Sequence, residues 1–333
     1  MAMEVFLLTS GTDHPLYGRL SFGLQPSLFG NEYLFEDFQG SDLGKLSWTP
    51  NRFSSVWTPK QASGPVSSYN DYPADGHLVS FFSPKAVEAL REYLEPNGEL
   101  LPVETTVGPY FAYNILTKST ALDLSRTKAT FGTPGEGEKE TAYGIDRYEF
   151  DEAKLEGHTV FRLREYPPAV FVTDVFKQRA ESSGLKGMFF CKVWPLAPNE
   201  EWVMLRKKQR RRIKEETVSL RANTVILRLK VAKKEASEKE SEAAEEIAAD
   251  LGEFLAVEHN KSIEDFVGMV SNIDETRGAI RIVLVTPNAD RLAEIVVPRI
   301  SAAKWKGGIE LIKHYGDFED DSAKQRKVTI QTT

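Results

Sequence analysis

Apolar residues recur along this chain with two periods. The runs Val79-Ser80-Phe81-Phe82 and Ala169-Val170-Phe171-Val172 are short, continuous and rich in aromatic and β-branched residues, as buried strands are. Each leads into a polar pair, Ser83-Pro84 or Thr173-Asp174. Apolar positions then follow at helical spacing: Ala86, Val87, Leu90 and Leu94 in the first copy, Val175, Phe176 and Ala180 in the second. Both copies close at a glycine, Gly98 or Gly184, and return as Leu100-Leu101-Pro102-Val103 or Met188-Phe189-Phe190-Cys191. The pattern predicts two strand–helix–strand units. Ser83 and Thr173 are expected to accept hydrogen bonds from the helix starts, and Pro84 to take the first helical position. Gly98 and Gly184 are expected to end the helices in left-handed geometry.

Around these units the pattern is less regular. Residues 1–76 are dense in aromatics, Gly, Ser and Pro, which predicts short strands and loops, with an irregular connector over 58–75. Further strands are expected at 110–116, 143–150 and 160–163. Residues 132–140 hold no apolar residue and predict a loop. Its glycines superficially resemble a phosphate loop. However, no Lys-Ser/Thr pair follows at the required spacing, and Glu136, Glu138 and Glu140 would repel a phosphate.

Beyond a basic stretch at 205–216, residues 217–333 predict a second domain. Val225, Leu227, Leu229 and Val231 alternate with Ile226, Arg228 and Lys230 as a half-buried strand. Ala244, Ile247, Ala248, Leu251, Phe254 and Leu255 share one helical stripe. A hairpin is expected from 266–270 and 279–286 around a turn at 274–278. A helix over 289–303 should be kinked at Pro298. Strands at 309–315 and 328–330 close the set. Strand–helix–strand–strand–helix–strand is the ferredoxin-like order. The expected class is therefore α+β. A mixed-sheet front domain (1–76 and 77–204) precedes the basic connector (205–216) and a ferredoxin-like βαββαβ domain (217–333).

Several stretches together resemble a known bacterial family. They are Phe82-Ser83-Pro84-Lys85-Ala86-Val87, Leu100-Leu101-Pro102-Val103, Tyr110-Phe111-Ala112-Tyr113-Asn114-Ile115, Ile145-Asp146-Arg147-Tyr148, His158-Thr159-Val160-Phe161-Arg162-Leu163 and Val172-Thr173-Asp174. Over about residues 20–195 the chain resembles the eleventh class of immunity proteins from polymorphic toxin systems. These are mostly packing residues, so they specify a fold better than a site. The resemblance implies a cytoplasmic protein that binds a cognate toxin and silences it by masking its active site. The second domain resembles small bacterial domains that carry a Thr-Pro-Asn-Ala-Asp turn and a His-Tyr-Gly strand end, here 286–290 and 314–316. No activity comes with that likeness.

Composition and charge narrow the chemistry. In 333 residues no run of about 18 apolar residues occurs, so a membrane span is not expected. The short apolar run near the start, without a basic stretch before it, does not read as a signal peptide. The single cysteine, Cys191, excludes an internal disulfide and fits a reducing compartment; within an apolar strand it reads as packing. Residues 1–205 carry 18 Lys and Arg against 27 Asp and Glu, a balance of −9, whereas the remainder carries +2. The acidic front half disfavours nucleic acid there and would attract a basic protein partner. The segment 205–214 holds seven cations without the interleaved aromatics that stack bases, and is read as a solvated connector or helix.

The five histidines show no ligand spacing, and no HExxH, CxxC or Gly-x-Ser-x-Gly motif occurs, so no metal, cofactor or catalytic residue is assigned. Partner contacts are assigned to Glu136, Glu138, Glu140, Asp146 and Tyr148, the last two as neighbours on one strand face. The expected function is toxin neutralisation by a non-enzyme. The alternatives are an enzyme built on scattered carboxylates and a nucleic-acid-binding accessory protein using the basic connector.

Overall fold

The computed structural model describes residues 3–10, 17, 20, 52, 54–55, 57–62, 64, 66–73, 79–132, 142–166, 169–198, 200–262, 264–318, 320 and 322–330. The chain divides into two compact units. The first takes residues 1–13, 19–63 and 70–212; the second takes 14–18, 64–69 and 213–333. The fold is α+β in both.

The first unit runs β1 (Val5–Ser10), β2 (Lys60–Gln61), β3 (Ser80–Phe82), α1 (Pro84–Leu94), β4 (Gly98–Thr105), β5 (Gly108–Ile115), β6 (Lys118–Ser119), β7 (Lys128–Phe131), β8 (Ala142–Arg147), β9 (Val160–Leu163), β10 (Val170–Thr173), α2 (Asp174–Ser182), β11 (Met188–Trp194) and α3 (Trp202–Glu216). Both predicted strand–helix–strand units are present, as β3-α1-β4 and β10-α2-β11. In neither do the two strands pair with each other. The first pair is separated by β5, in a sheet of order β2-β4-β5-β3. The second pair is separated by β1, in a sheet of order β11-β1-β10-β9-β6. The inserted strand is antiparallel to both neighbours in each case. The repeat is thus a split unit that borrows its middle strand, once from the segment that follows it and once from the start of the chain.

The five-stranded sheet explains why its strands read as continuous apolar runs. Successive side chains point to opposite faces, and here both faces are buried. Phe6, Leu8, Val160, Val170 and Val172 join one core with Leu90 of α1, Phe176 of α2, Phe82 and Tyr113. Val5, Leu7, Phe161, Phe171, Cys191 and Val193 join the other with Ile145, Tyr148 and Phe150. Cys191 is packing material, and burial pushes its thiol pKa up.

The predicted helix ends fare unevenly. Ser83 accepts from the Ala86 N–H at 3.0 Å, with Pro84 at the first helical position. Thr173 holds the equivalent place but makes no capping bond. Its buried hydroxyl has no partner among the described residues. Instead, Asp174 ties the helix start to the chain's beginning, its N–H donating to the Glu4 carbonyl at 3.0 Å. Gly184 has the expected positive φ of 63°. Gly98 does not; it opens β4, where an added Cβ would lie 2.5 Å from the Asn114 carbonyl and 2.6 Å from the Tyr113 ring. It is required for close approach, and left-handed geometry plays no part.

The second unit runs β12 (Asn223–Lys230), α4 (Glu238–Phe254), β13 (Met269–Thr276), β14 (Ala279–Thr286), α5 (Ala289–Ser301), β15 (Ile309–Tyr315) and β16 (Lys324–Ile330). The sheet order is β13-β14-β12-β15-β16, antiparallel throughout. The βαββαβ order read from the sequence is the observed order, with β16 added at one edge. Ser237 and Glu240 form a reciprocal capping box at the start of α4. Val225, Leu227 and Leu229 pack with Ala244, Leu251, Leu292, Val296 and Ile300 in one core. The hairpin turn is tighter than expected, because β13 continues through Asp274 to Thr276 and leaves only residues 277–278 between the strands. Strand continuation lets Arg281 bind Asp274 across the ladder, at 2.6 and 3.0 Å. α5 runs through Pro298 without ending.

Candidate functional site

No group of three or more His, Cys, Asp or Glu side chains arranged to hold a metal occurs among the described residues. The polar clusters inside the first unit are structural. Asp71, 4% exposed, accepts from the Ser83 hydroxyl at 2.6 Å and the Lys186 N–H at 2.8 Å, joining the starts of α1 and β11. A carboxylate beside a helix start is also favoured by the helix dipole. Asn97 serves the two split units in the same way. Its amide nitrogen donates to the Tyr93 carbonyl and the Thr159 hydroxyl, each at 2.8 Å, and its side-chain oxygen accepts from Thr117 at 2.9 Å. Such fully satisfied networks fix register and leave no group aimed at a ligand.

The polar surface of interest lies at the strand pair β7–β8 and the segments beside it. Lys128 of β7 and Asp146 of β8 face solvent together at 3.9 Å. Arg147 donates to Glu149 at 2.8 Å and also reaches the Leu196 carbonyl at 3.3 Å. An isolated bridge, Leu122 with Phe150, places the segment from Ala121 beside residues 149–151. Asp123, Glu149, Asp151 and Glu152 therefore share one neighbourhood. Glu136, Glu138 and Glu140, assigned to the partner surface from the sequence, lie outside the described residues.

Asp146 and Tyr148 do not share an exposed face. Asp146 is exposed, while Tyr148 is 1% exposed and packs its ring on Phe150, Phe171 and Trp202. The strand ends at Arg147, so the two-residue alternation does not carry through to Tyr148. Burial raises its pKa well above the ordinary range for tyrosine. Tyr148 is a core residue and offers no contact surface.

The basic stretch is helical. α3 buries or half-buries Trp202, Leu205, Arg206, Gln209 and Ile213, which recur at helical spacing, and exposes Lys207, Lys208, Arg210, Arg211 and Arg212. Trp202 and Leu205 pack on the core behind β8 and β11. Gln209 donates to the Phe190 carbonyl at 3.3 Å, covering an edge position of β11. These five cations face outward because the other side of the helix is used in packing.

The Asp71 and Asn97 networks tie the split units together, and the β7–β8 surface carries mixed charge. The family described as Immunity protein family (Imm11) matches residues 102–194. The match runs from the middle of β4 to the end of β11 and includes the β7–β8 surface. It bears out the resemblance read from the sequence over that segment. No curated protein matches the chain.

Proposed function

We propose that the protein binds a cognate toxin and neutralises it by masking the toxin's active site. The observation that carries this reading is the match of residues 102–194 to a family of immunity proteins. The surface chemistry supports it. Between residues 121 and 156 the described residues hold six carboxylates and four cations, and each cation is paired to a carboxylate: Arg126 to Asp123, Lys128 to Asp146, Arg147 to Glu149 and Lys154 to Asp151. The charge left over is negative, on Glu152 and Glu156, and both are exposed. Such a surface steers a basic partner into register. The partner is therefore a basic protein toxin met in the cytoplasm, and the act is binding without catalysis.

The test is to sequence the genes flanking this one and to co-express the protein with any toxin domain they encode. Growth should be rescued, and the two proteins should co-elute as a complex. Rescue without a complex would replace masking by some other route.

A further inference from the structure

We propose that Tyr17 and residues 66–69 form a strap over Ile226 and Ile312, closing the outer face of the second unit's sheet with segments from the early part of the chain.

The sheet β13-β14-β12-β15-β16 has two faces. Leu227, Ile282 and Leu311 stand side by side on β12, β14 and β15 and point into the core shared with α4 and α5. One residue along, Ile226, Val283 and Ile312 form the next row, which faces the opposite way. An antiparallel sheet with one face in water carries polar residues there. Part of this outer face does so: Arg228 donates to Glu310 at 3.2 Å, and Arg281 binds Asp274. The row beside it is apolar and dry. Val283 is 2% exposed, Ile226 7% and Ile312 9%. Helices on the far side of the sheet do not exclude water from this row, so something lies over it.

The turn Val218–Arg221 packs beside β14 and accounts for Val283. Phe318 lies over the charged part, its ring 5.0 Å from the Arg281 guanidinium. Ile226 and Ile312 are one and two strands further across from β14. The same compact unit also takes residues 14–18 and 64–69. Within those segments Val66 is 0% exposed and Tyr17 8%. Neither belongs to the helix-side core or to the two cores of the first unit. A fully buried side chain touches roughly 6–12 other residues, more than so short a segment supplies by itself. Val66 needs an apolar surface, and Ile226 and Ile312 need a cover, within one unit. The Ser67 N–H donates to the Tyr17 carbonyl at 3.2 Å, and the Tyr17 and Tyr69 rings meet edge to face at 5.9 Å, so the two segments act as one piece. Part of the stretch expected to be an irregular connector is thus the cover of a sheet. The helix-side core does not draw on the strap, so its release bares the outer row while strands and helices stay together.

The experiment uses the full chain with a thiol placed under the strap by Ile312→Cys; the native Cys191 is buried in the first unit. Labelling by a soluble maleimide is followed by peptide mass spectrometry, which separates the two thiols. The background is compared alone and with Val66→Ala, Tyr17→Ala, Ser68→Ala or Ile213→Ala, and thermal unfolding checks that each chain is folded. Val66→Ala and Tyr17→Ala should speed labelling at position 312 about tenfold. Ser68→Ala, at an exposed position of the same segment, should leave it unchanged. Hydrogen exchange gives a second reading on chains that keep Ile312. There Val66→Thr, which holds the side chain's shape and adds a hydroxyl, should speed exchange in β12 and β15 and leave β9 and β10 alone. A thiol labelled at once in the background chain would mean that the row is open, and equal protection in every variant would mean that the strap is not its cover. Loss of protection with Ile213→Ala alone would assign the cover to α3. Protection that rises with protein concentration and ignores Val66 would assign it to a second copy of the chain. Each of these four outcomes overturns the proposal.

Discussion

At the scale of single residues, the environment of each side chain decides what it can do. Asp123 is half-buried, and the Ser125 hydroxyl and the Arg126 guanidinium hold its pKa down to about 2. A carboxylate with a depressed folded pKa contributes above its unfolded value, near 4, and loses that contribution as pH falls toward the folded value. The turn at residues 123–127 should therefore add its full stability above about pH 4, lose it progressively below that, and itself unlock as Asp123 protonates near 2. A carboxyl NMR titration of Asp123 should give a midpoint near 2, and Ser125→Ala should raise it. A midpoint near 4 in the wild type would mean that the bonds to Ser125 and Arg126 do not persist in solution.

The two glycines of the repeat make a second contrast at this scale. Gly98→Ala should cost roughly 1–3 kcal/mol, because the new Cβ meets a backbone carbonyl that cannot step aside. Gly184→Ala meets open space and should cost only the left-handed backbone penalty, about 1–2 kcal/mol. Urea unfolding of the two variants checks the order. A Gly98→Ala loss below about 0.5 kcal/mol would mean that Gly98 is not tightly packed.

At the scale of elements, α1 and α2 are the same device used twice. Leu90 and Phe176 are both fully buried and meet in one core. Truncating either to Ala should cost about 2–5 kcal/mol, measured by chemical denaturation. The two losses should not add, since neighbouring sites share the cavity they create. The periodicity placed both helices and most of their strands. It did not show that the strands of each unit are separated by a third. Strand partners are chosen by contacts distant in sequence, and β1 and β10 are some 165 residues apart along the chain. The segment Val5–Ser10 reads as an apolar run in the sequence, while only the sheet makes it the middle strand between β10 and β11.

At the scale of the whole molecule, charge and core completeness carry the predictions. If the acidic surface captures a basic toxin, association should slow as salt rises, since the Debye length shrinks from about 30 Å at 0.01 M to about 8 Å at 0.15 M. The dissociation rate should change less, because packing holds the complex once formed. Glu152→Lys with Glu156→Lys should slow association by about tenfold at low salt without lowering the melting temperature. An association rate indifferent to salt and to these substitutions would leave shape and apolar burial as the basis of binding. Among the described residues, the buried cluster of the second unit lies between Val225 and Ile330. A fragment of residues 217–333 should therefore unfold in one cooperative transition by calorimetry, and a broad, gradual melt would show that segments nearer the start of the chain are needed.

The sequence by itself determined the local elements, the α+β class, the βαββαβ order of the second half and the likeness to an immunity family. Those depend on apolar periodicity, caps and turns, which act over a few residues. Tertiary structure decided which strands became neighbours and which side chains were left outside. Tyr148 looked like a surface partner of Asp146 because a strand alternates its faces. It is buried because β8 ends at Arg147 and the chain then packs on Phe150, Phe171 and Trp202. Leu124 gave no signal in the sequence, since a leucine between polar residues is equally consistent with core or surface. In the folded chain it is 48% exposed. Burial is a property of the assembled neighbours, and no single stretch of the chain carries it.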